Sequence, residues 1–405
     1  MDILPILRAL RRNKVGAILI CLQIALTLAI VSNSLSIIQQ RVAQMHRPTG
    51  IDEANIFTLS NTWVVDPDDL EARIKADLAA IRSLPGVVDA MATNSYPLRG
   101  GGWSWGLSRK PDQKHPTAGT TEYFVDDHGL AAYGIQLAAG RWFTREEVGK
   151  MNINDEVFPS SIVVTRPLAK ALFPSGNALG QVVYFTPTNS SRIIGIVAKT
   201  QTPWAGGGVA ESAVEYATFL PLQFLNNGIL YVVRAMPGRQ AEVMRTVQEK
   251  LYSLTRQRVI QGAQPFSETR NQAYRIGRAT SVMLGTVCAL LLAITAFGIV
   301  GLTMYWVNQR RRFIGMRRAL GARRADILSY FHIENLLITV TGCILGIAMG
   351  LGSNTWLASS LELTRMSVAY IGIGALMVLA LCQAAVVWPA LRAASIAPAV
   401  ATRAL

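Results

Sequence analysis

The sequence has few charged residues and few cysteines for its length. Only 16% of the 405 residues are charged and 51% are hydrophobic, which is too apolar for a soluble protein and too polar for one that lies wholly in a membrane. The long polar stretch in the middle has no cysteine, which excludes a disulfide framework there. All four cysteines lie in apolar runs, where we interpret them as small buried residues: Cys21, Cys288, Cys343 and Cys382.

The usual signatures of catalysis are also missing. There is no G-x-x-x-x-G-K-[ST] loop to hold a nucleotide phosphate, no nucleophile elbow, and no pair of histidines at metal-binding spacing. The cluster Asp126-Asp127-His128 could form a metal or catalytic site, but we interpret it as a solvated turn. The sequence therefore predicts a chain that is not an enzyme and that binds no cofactor or metal itself.

The charge that is present is distributed unevenly. The net charge of +14 could indicate nucleic-acid binding. Most of the excess, however, lies in three short segments beside apolar runs: residues 1–14, residues 308–326 and the C-terminal tail. This is the positive-inside pattern of membrane proteins, so we expect contact with membrane lipid and none with nucleic acid.

Four apolar runs are long enough to cross a bilayer, which takes about 20 helical residues. A cleaved signal peptide is the alternative for the first run, but its length and the lack of a small-residue cleavage site favour an anchor. The predicted spans are 16–38, 281–307, 327–352 and 369–388. The positive segments then place residues 1–15, 308–326 and 389–405 in the cytoplasm, with 39–280 and the short loop 353–368 outside.

The third predicted span has two notable features. Gly342, Gly346 and Gly350 form a row that allows close helix approach, either within the subunit or across a dimer. His332, Glu334 and Asn335 begin the same span. They could relay protons, but their place near the cytoplasmic end favours solvation at the interface.

The external stretch begins and ends with similar patterns. Strand, helix and strand are predicted at 55–60, 67–84 and 87–93, and again at 229–235, 238–254 and 258–261. We therefore expect one α/β subdomain built from both ends, with a strand-rich insertion between them. The insertion includes Gly100–Gly102 beside Trp103 and Trp105, which we interpret as a flexible, exposed loop. Polar segments 39–44 and 267–278 are predicted to extend the first two spans as stalk helices.

Three stretches resemble one family. RRRFIGMRRALGARRADILSYFHIENLLITVTGCILGIAMG (310–350) is similar to the FtsX-like permease domain, whose members carry an RRxEIGIRRALGA-type element. The segments 134–144, 166–183 and 192–197 resemble the periplasmic core domain of MacB-type permeases, and 389–405 resembles the closing signature of the family. One departure is Phe313, which stands where the family usually has Glu, so a contact made by that acid is not expected here.

The resemblance implies the permease subunit of an ABC transporter in the bacterial inner membrane. It implies a homodimer or a heterodimer with a related permease, and ATP and Mg in a separate ABC ATPase subunit. A periplasmic adaptor and an outer-membrane exit duct are further implied partners. ATP hydrolysis would drive export of a periplasmic substrate by mechanotransmission. The implied ATPase-coupling residues are Ile314, Gly315, Arg317, Arg318, Ala319, Leu320, Gly321 and Ala322.

Two other functions share this architecture. An FtsX-type regulator of cell-wall hydrolases is one, although the external domain of FtsX is considerably smaller than residues 39–280. Lipoprotein release of the LolC/LolE type is the other.

Overall fold

The computed structural model describes residues 14–64, 69–205, 211–361 and 368–395. The predicted N-terminal segment, the 353–368 loop, the start of the first external helix and the C-terminal tail fall wholly or partly outside these residues. The chain divides into two units. One comprises the chain up to Ala43 and from Gly277 onward, and we call it the membrane unit. The other comprises Gln44–Ile276, and we call it the external unit after its predicted location.

The helices, in chain order, are α1 (Lys14–Met45), α2 (Leu70–Arg82), α3 (Gly129–Tyr133), α4 (Arg166–Leu172), α5 (Gln240–Leu254), α6 (Phe266–Ala273), α7 (Arg275–Gln309), α8 (Arg311–Ala319), α9 (Arg324–Leu361) and α10 (Val368–Ala394). The strands are β1 (Ile56–Trp63), β2 (Val87–Thr93), β3 (Trp103–Leu107), β4 (Ala118–Val125), β5 (Leu137–Gly140), β6 (Gly149–Asn152), β7 (Ser161–Thr165), β8 (Val182–Tyr184), β9 (Ser190–Val197), β10 (Ala217–Leu225), β11 (Gly228–Ala235) and β12 (Arg258–Pro265).

Among the described residues, four helices are long and apolar enough to cross a membrane: α1, α7, α9 and α10. Each span predicted from the sequence lies inside one of them. Large apolar side chains remain exposed along these helices, among them Leu19, Phe297, Ile344 and Leu376. Such exposure is costly in water and suits lipid, so the chain is a multi-pass α-helical membrane protein with a large α/β domain.

The glycine row of the third span faces α1 of the same chain. A Cβ at Gly346 would lie 2.8 Å from the carbonyl oxygen of Ala25, and one at Gly342 would lie 3.0 Å from that of Cys21. At Gly350 the nearest atom is farther away, the Cα of Ala29 at 3.7 Å. Gly342 and Gly346 thus allow two backbones to meet inside the membrane unit.

The smaller sheet of the external unit combines both ends of the external stretch. Its strand order is β12-β1-β11-β2, and every neighbouring pair is antiparallel. The helices α2 and α5 contact these strands and each other. This is a split βαβ arrangement, because β11 of the second repeat lies between β1 and β2 of the first. The predicted α/β subdomain built from both ends is confirmed.

A buried ion pair connects the two repeats. Arg258 on β12 donates hydrogen bonds of 2.8 and 2.9 Å to the two carboxylate oxygens of Asp77 on α2. Tyr231 on β11 donates a further bond of 2.8 Å to Asp77. Both charged side chains are almost fully buried, and this burial is compensated by their pairing.

The insertion forms the larger sheet, with strand order β3-β4-β10-β7-β9-β5; β6 pairs with β10 and β8 with β9. The prediction of an exposed loop at 100–105 was wrong for the two tryptophans. Trp103 and Trp105 lie on β3, and the Trp103 ring is 5.3 Å from that of Phe124 in an edge-to-face contact. The large apolar rings gain more free energy from packing on the sheet than from exposure to water. The adjacent glycines are typical of a loop, which is why the sequence predicted one.

The two segments predicted as a stalk are helical. Residues 39–44 belong to α1, whereas residues 267–278 form most of α6 and the first turn of α7, with a break at Tyr274. Their role as a stalk stays a prediction.

Candidate coupling site

The short helix α8 lies between the second and third membrane helices. A single residue, Arg310, separates it from α7 and forms its N-cap. At its C-terminus the amide of Gly321 donates to the carbonyl of Arg318 (3.2 Å), and that of Ala322 donates to the carbonyl of Arg317 (3.1 Å). With a φ of 97° at Gly321, this is a Schellman motif. Gly321 therefore ends the helix in the left-handed conformation.

One face of α8 is buried and the other is exposed. Ile314 and Gly315 are buried, and Ile314 belongs to the apolar core that includes Trp306, Phe331 and Ala390. The opposite side presents three large apolar residues at helical spacing, Phe313, Met316 and Leu320, whose exposed fractions are 50%, 53% and 84%. We call these three residues the apolar stripe. A helix anchored by one face leaves this stripe available to a partner.

Arginines border the apolar stripe. The guanidinium of Arg317 lies 4.9 Å from the centre of the Phe313 ring and 5.8 Å from that of Tyr330. Arg311 and Arg312 are exposed at the start of the helix. The surface therefore combines apolar contact area with positive charge, which favours an apolar partner surface bordered by acidic groups.

An ion pair joins α8 to the third membrane helix. Nη1 of Arg310 lies 3.0 Å from each carboxylate oxygen of Glu334 and 3.1 Å from the hydroxyl oxygen of Tyr330. The Arg310 guanidinium also lies 5.7 Å from the Trp306 ring centre. Glu334 is 1% exposed, so the expectation of interfacial solvation was wrong for it.

The other two polar residues of this group are also paired inside the membrane unit. Nδ1 of His332 lies 2.9 Å from Oε1 of Gln383, and the side-chain amide of Asn335 donates to the carbonyl of Cys382 at 3.0 Å. Both partners lie on α10, so these bonds tie α9 to α10. The partners are 51 and 47 positions away in the sequence. For this reason the sequence alone favoured contact with solvent for His332 and Asn335.

The eight predicted coupling residues form one continuous segment but differ in surroundings. Two are buried (Ile314 and Gly315), two are half-buried (Arg318 and Ala322), and the rest are exposed (Arg317, Ala319, Leu320 and Gly321). The residues that hold this segment in place were not predicted from the sequence. An aromatic and a charged residue stand on each side of this segment. Trp306 and Arg310 lie at the end of one span, and Tyr330 and Glu334 at the start of the next, so a contact between them could have been predicted.

The external cluster at 126–128 lies in a turn, as predicted, but its residues are partly buried. Asp126 accepts a hydrogen bond of 2.9 Å from Arg82, and Nδ1 of His128 lies 3.0 Å from each carboxylate oxygen of Asp89. Burial raises the pKa of Asp126, although the Arg82 charge opposes that shift. Within the described parts of the chain, no group of three or more His, Cys, Asp or Glu residues is placed to hold a metal.

Two family models match the sequence. Residues 17–250, more than half of the chain, match the MacB-like periplasmic core domain, and residues 285–398 match the FtsX-like permease C-terminal domain. The chain belongs to the MacB/FtsX-like ABC transporter permeases. In this permease the second match contains the whole of α8 and the Arg310–Glu334 pair.

Similar relatives of this permease include three macrolide export ATP-binding/permease proteins MacB. Those of Azoarcus sp., Paracoccus denitrificans and Escherichia coli are 27%, 25% and 24% identical over 68%, 85% and 85% of this chain. The chain spans only 40%, 50% and 51% of their respective lengths. The crystal structure of the periplasmic region of MacB from Actinobacillus actinomycetemcomitans aligns with 56% of this chain and 97% of that region, with 15% identity and a TM-score of 0.34.

Proposed function

We propose that this permease is the membrane subunit of a MacB-type ABC transporter in the bacterial inner membrane, with both termini cytoplasmic. ATP and Mg are bound by a separate ATPase subunit, and hydrolysis there drives export of a substrate from the periplasm. The single observation that carries the proposal is the apolar stripe on α8, exposed between two membrane helices and bordered by arginines.

The apolar stripe supports docking of an ATPase because the helix that carries it, α8, is held firmly in place. Ile314 packs into the core, the Schellman motif fixes the helix end, and Arg310–Glu334 fixes its start. A helix held at both ends transmits a push to the spans on either side instead of bending. A merely basic topology anchor requires none of these contacts.

The test is Leu320→Asp in the full chain, co-expressed with its ABC ATPase subunit. Because Leu320 is 84% exposed, the change leaves folding and insertion intact while placing a desolvated charge in the proposed interface. We expect co-purification of the ATPase and its stimulated ATP hydrolysis to fall at least tenfold. Val64→Asp is the matched control, since Val64 is 67% exposed in the external unit. Wild-type stimulation by Leu320→Asp would refute the docking role.

Mechanotransmission further requires α1 and α7 to move against each other. A Cβ at Gly277 on α7 would lie 3.8 Å from Cδ of Arg41 on α1, so these helices touch there. In a variant lacking the native cysteines, Arg41→Cys and Gly277→Cys can be joined by a short bifunctional thiol reagent. We expect the joined helices to bind the ATPase but to lose stimulated hydrolysis and export. Full export by a verified cross-linked protein would contradict this mechanism.

A further inference from the structure

The external unit has a cleft of about 240 Å³ at the β3 end of the larger sheet. Its walls are mainly aromatic and aliphatic, formed by Trp103, Trp105, Phe124, Met151, Phe158 and Leu220. Two of the aromatic rings, Trp105 and Phe158, are in edge-to-face contact at 5.5 Å and remain half-buried. The cleft is smaller than the roughly 300–1,000 Å³ of sites for drug-sized ligands, so it suits a small molecule.

A single carboxylate lies in the aromatic part of this cleft. Glu122 on β4 is directly opposite Trp103 in the antiparallel β3–β4 pair, which puts both side chains on the same face of the sheet. Phe124, two residues further along β4, shares that face. Alternation along the strands thus positions an acid among aromatic rings.

The Glu122 carboxylate lacks the partners that other buried acids have. Glu122 is 4% exposed, and within the described residues no hydrogen bond or ion pair is made to its side chain. By contrast, Asp77 is paired with Arg258 and Glu334 with Arg310. Burial alone raises the pKa of Glu122 to about 7. An unpaired buried carboxyl destabilises the folded protein, and such groups are concentrated at functional sites.

The other charged groups of the cleft determine whether it favours a positively or a negatively charged ligand. They are Asp155 and Glu156, from the segment after β6; β3 and β10 contribute no titratable side chain to the lining. Hydrogen bonds from Asn152 lower the pKa of Asp155, so this group stays ionised at neutral pH. All three charges are negative, and aromatic ring faces also attract cations. The cleft therefore repels anions and favours a cation.

We propose that this cleft binds a small organic cation with an apolar or aromatic body, whose charge pairs with the Glu122 carboxylate and whose body packs between Trp103, Trp105 and Phe158. The site is formed within the external unit and is independent of the coupling role of α8. Binding can therefore be measured on the permease without an ATPase.

The test uses the full chain in lipid nanodiscs and calorimetric titration with benzyltrimethylammonium, a permanent cation that does not itself titrate. We expect saturable binding at pH 8, and no binding of benzyl alcohol, which has the ring without the charge. Glu122→Gln should weaken binding at least tenfold. This variant should remain folded, because it removes a desolvated charge without changing the side-chain shape.

The pH profile gives a second measurement. The cation binds the ionised carboxylate, so affinity should fall about tenfold from pH 8 to pH 6 as a group with a pKa of about 7 becomes protonated. Glu249→Gln is the matched control, since it removes the same charge from an exposed position of the same unit that does not line the cleft. It should retain wild-type affinity within about twofold and the same pH dependence. Absence of saturable binding, equal binding by Glu122→Gln, or equal loss in both variants would overturn the proposal.

Discussion

Nη1 of Arg310 lies equally close, at 3.0 Å, to both carboxylate oxygens of Glu334. The two residues are 24 positions apart: Arg310 directly follows α7, and Glu334 lies inside α9. Arg310 is also the N-cap of α8. A single buried ion pair thus fixes the start of the proposed docking helix to the membrane helix that follows it.

Breaking this pair should destabilise the membrane unit. Glu334→Leu leaves Arg310 charged and without its main partner in a buried site, which we expect to cost about 3–5 kcal/mol. The measurement is the thermal stability of the purified permease in detergent. Arg311→Gln, a change at the exposed neighbouring arginine, should have little effect. The double variant Arg310→Met/Glu334→Leu should regain much of the loss, and failure to do so would indicate that packing, not charge pairing, sets the cost.

The glycine row predicts a graded response to one added methyl group. Gly346→Ala places its Cβ 2.8 Å from the Ala25 carbonyl oxygen and 3.0 Å from the Leu28 Cβ, so α1 and α9 must separate. We expect a loss of about 1–3 kcal/mol, measured as a lowered melting temperature. Gly350→Ala is the control because its nearest neighbour is at 3.7 Å. Equal effects of the two changes would contradict close packing at Gly346.

The C-terminus of α8 requires a residue that tolerates a positive φ. Gly321→Ala has open space around its Cβ, so its cost of about 1 kcal/mol comes from the left-handed backbone alone. We expect ATPase stimulation to decline while expression and insertion stay normal. Gly285→Ala, within α7 and also free of contacts, should be harmless. A fully active Gly321→Ala would mean that the helix end need not be fixed.

The external unit should depend on the pairing of its two repeats. Asp77→Asn leaves the Arg258 charge buried without compensation, and we expect a loss of about 3–5 kcal/mol. Asp69→Ala provides a milder comparison on the same helix. It removes the N-cap hydrogen bond of 2.9 Å that the backbone amide of Ala72 donates to the Asp69 carboxylate, which is worth about 1 kcal/mol. Limited proteolysis in urea ranks the variants, and a smaller effect for Asp77→Asn than for Asp69→Ala would refute this order.

The orientation in the membrane is predicted from charge. Alkaline phosphatase fused after residue 150 should be active, and fused after residue 320 it should be inactive, because the arginine-rich segment around α8 is retained in the cytoplasm. The reverse pattern of activities would overturn both the orientation and the docking role of the apolar stripe.

The sequence by itself determined the four spans and the α/β subdomain built from both ends of the external stretch. Both depend on local information, because a span needs only enough apolar length, and the helices of the two repeats show regular apolar spacing, as at Val243, Val247 and Leu251. The positive φ of Gly321 was predictable for the same reason, because a glycine that directly follows a helix commonly adopts the left-handed conformation.

The tertiary structure alone decided which polar residues are paired. Glu334 was expected to meet solvent and meets Arg310 instead, whereas Glu122, unremarkable in the run TTEYFV, is buried without a partner. Likewise, Trp103 and Trp105 follow a glycine-rich stretch but pack on the larger sheet. These outcomes depend on groups distant in the chain, and the cost of burying a charge or a ring is set by the neighbours that folding brings to it.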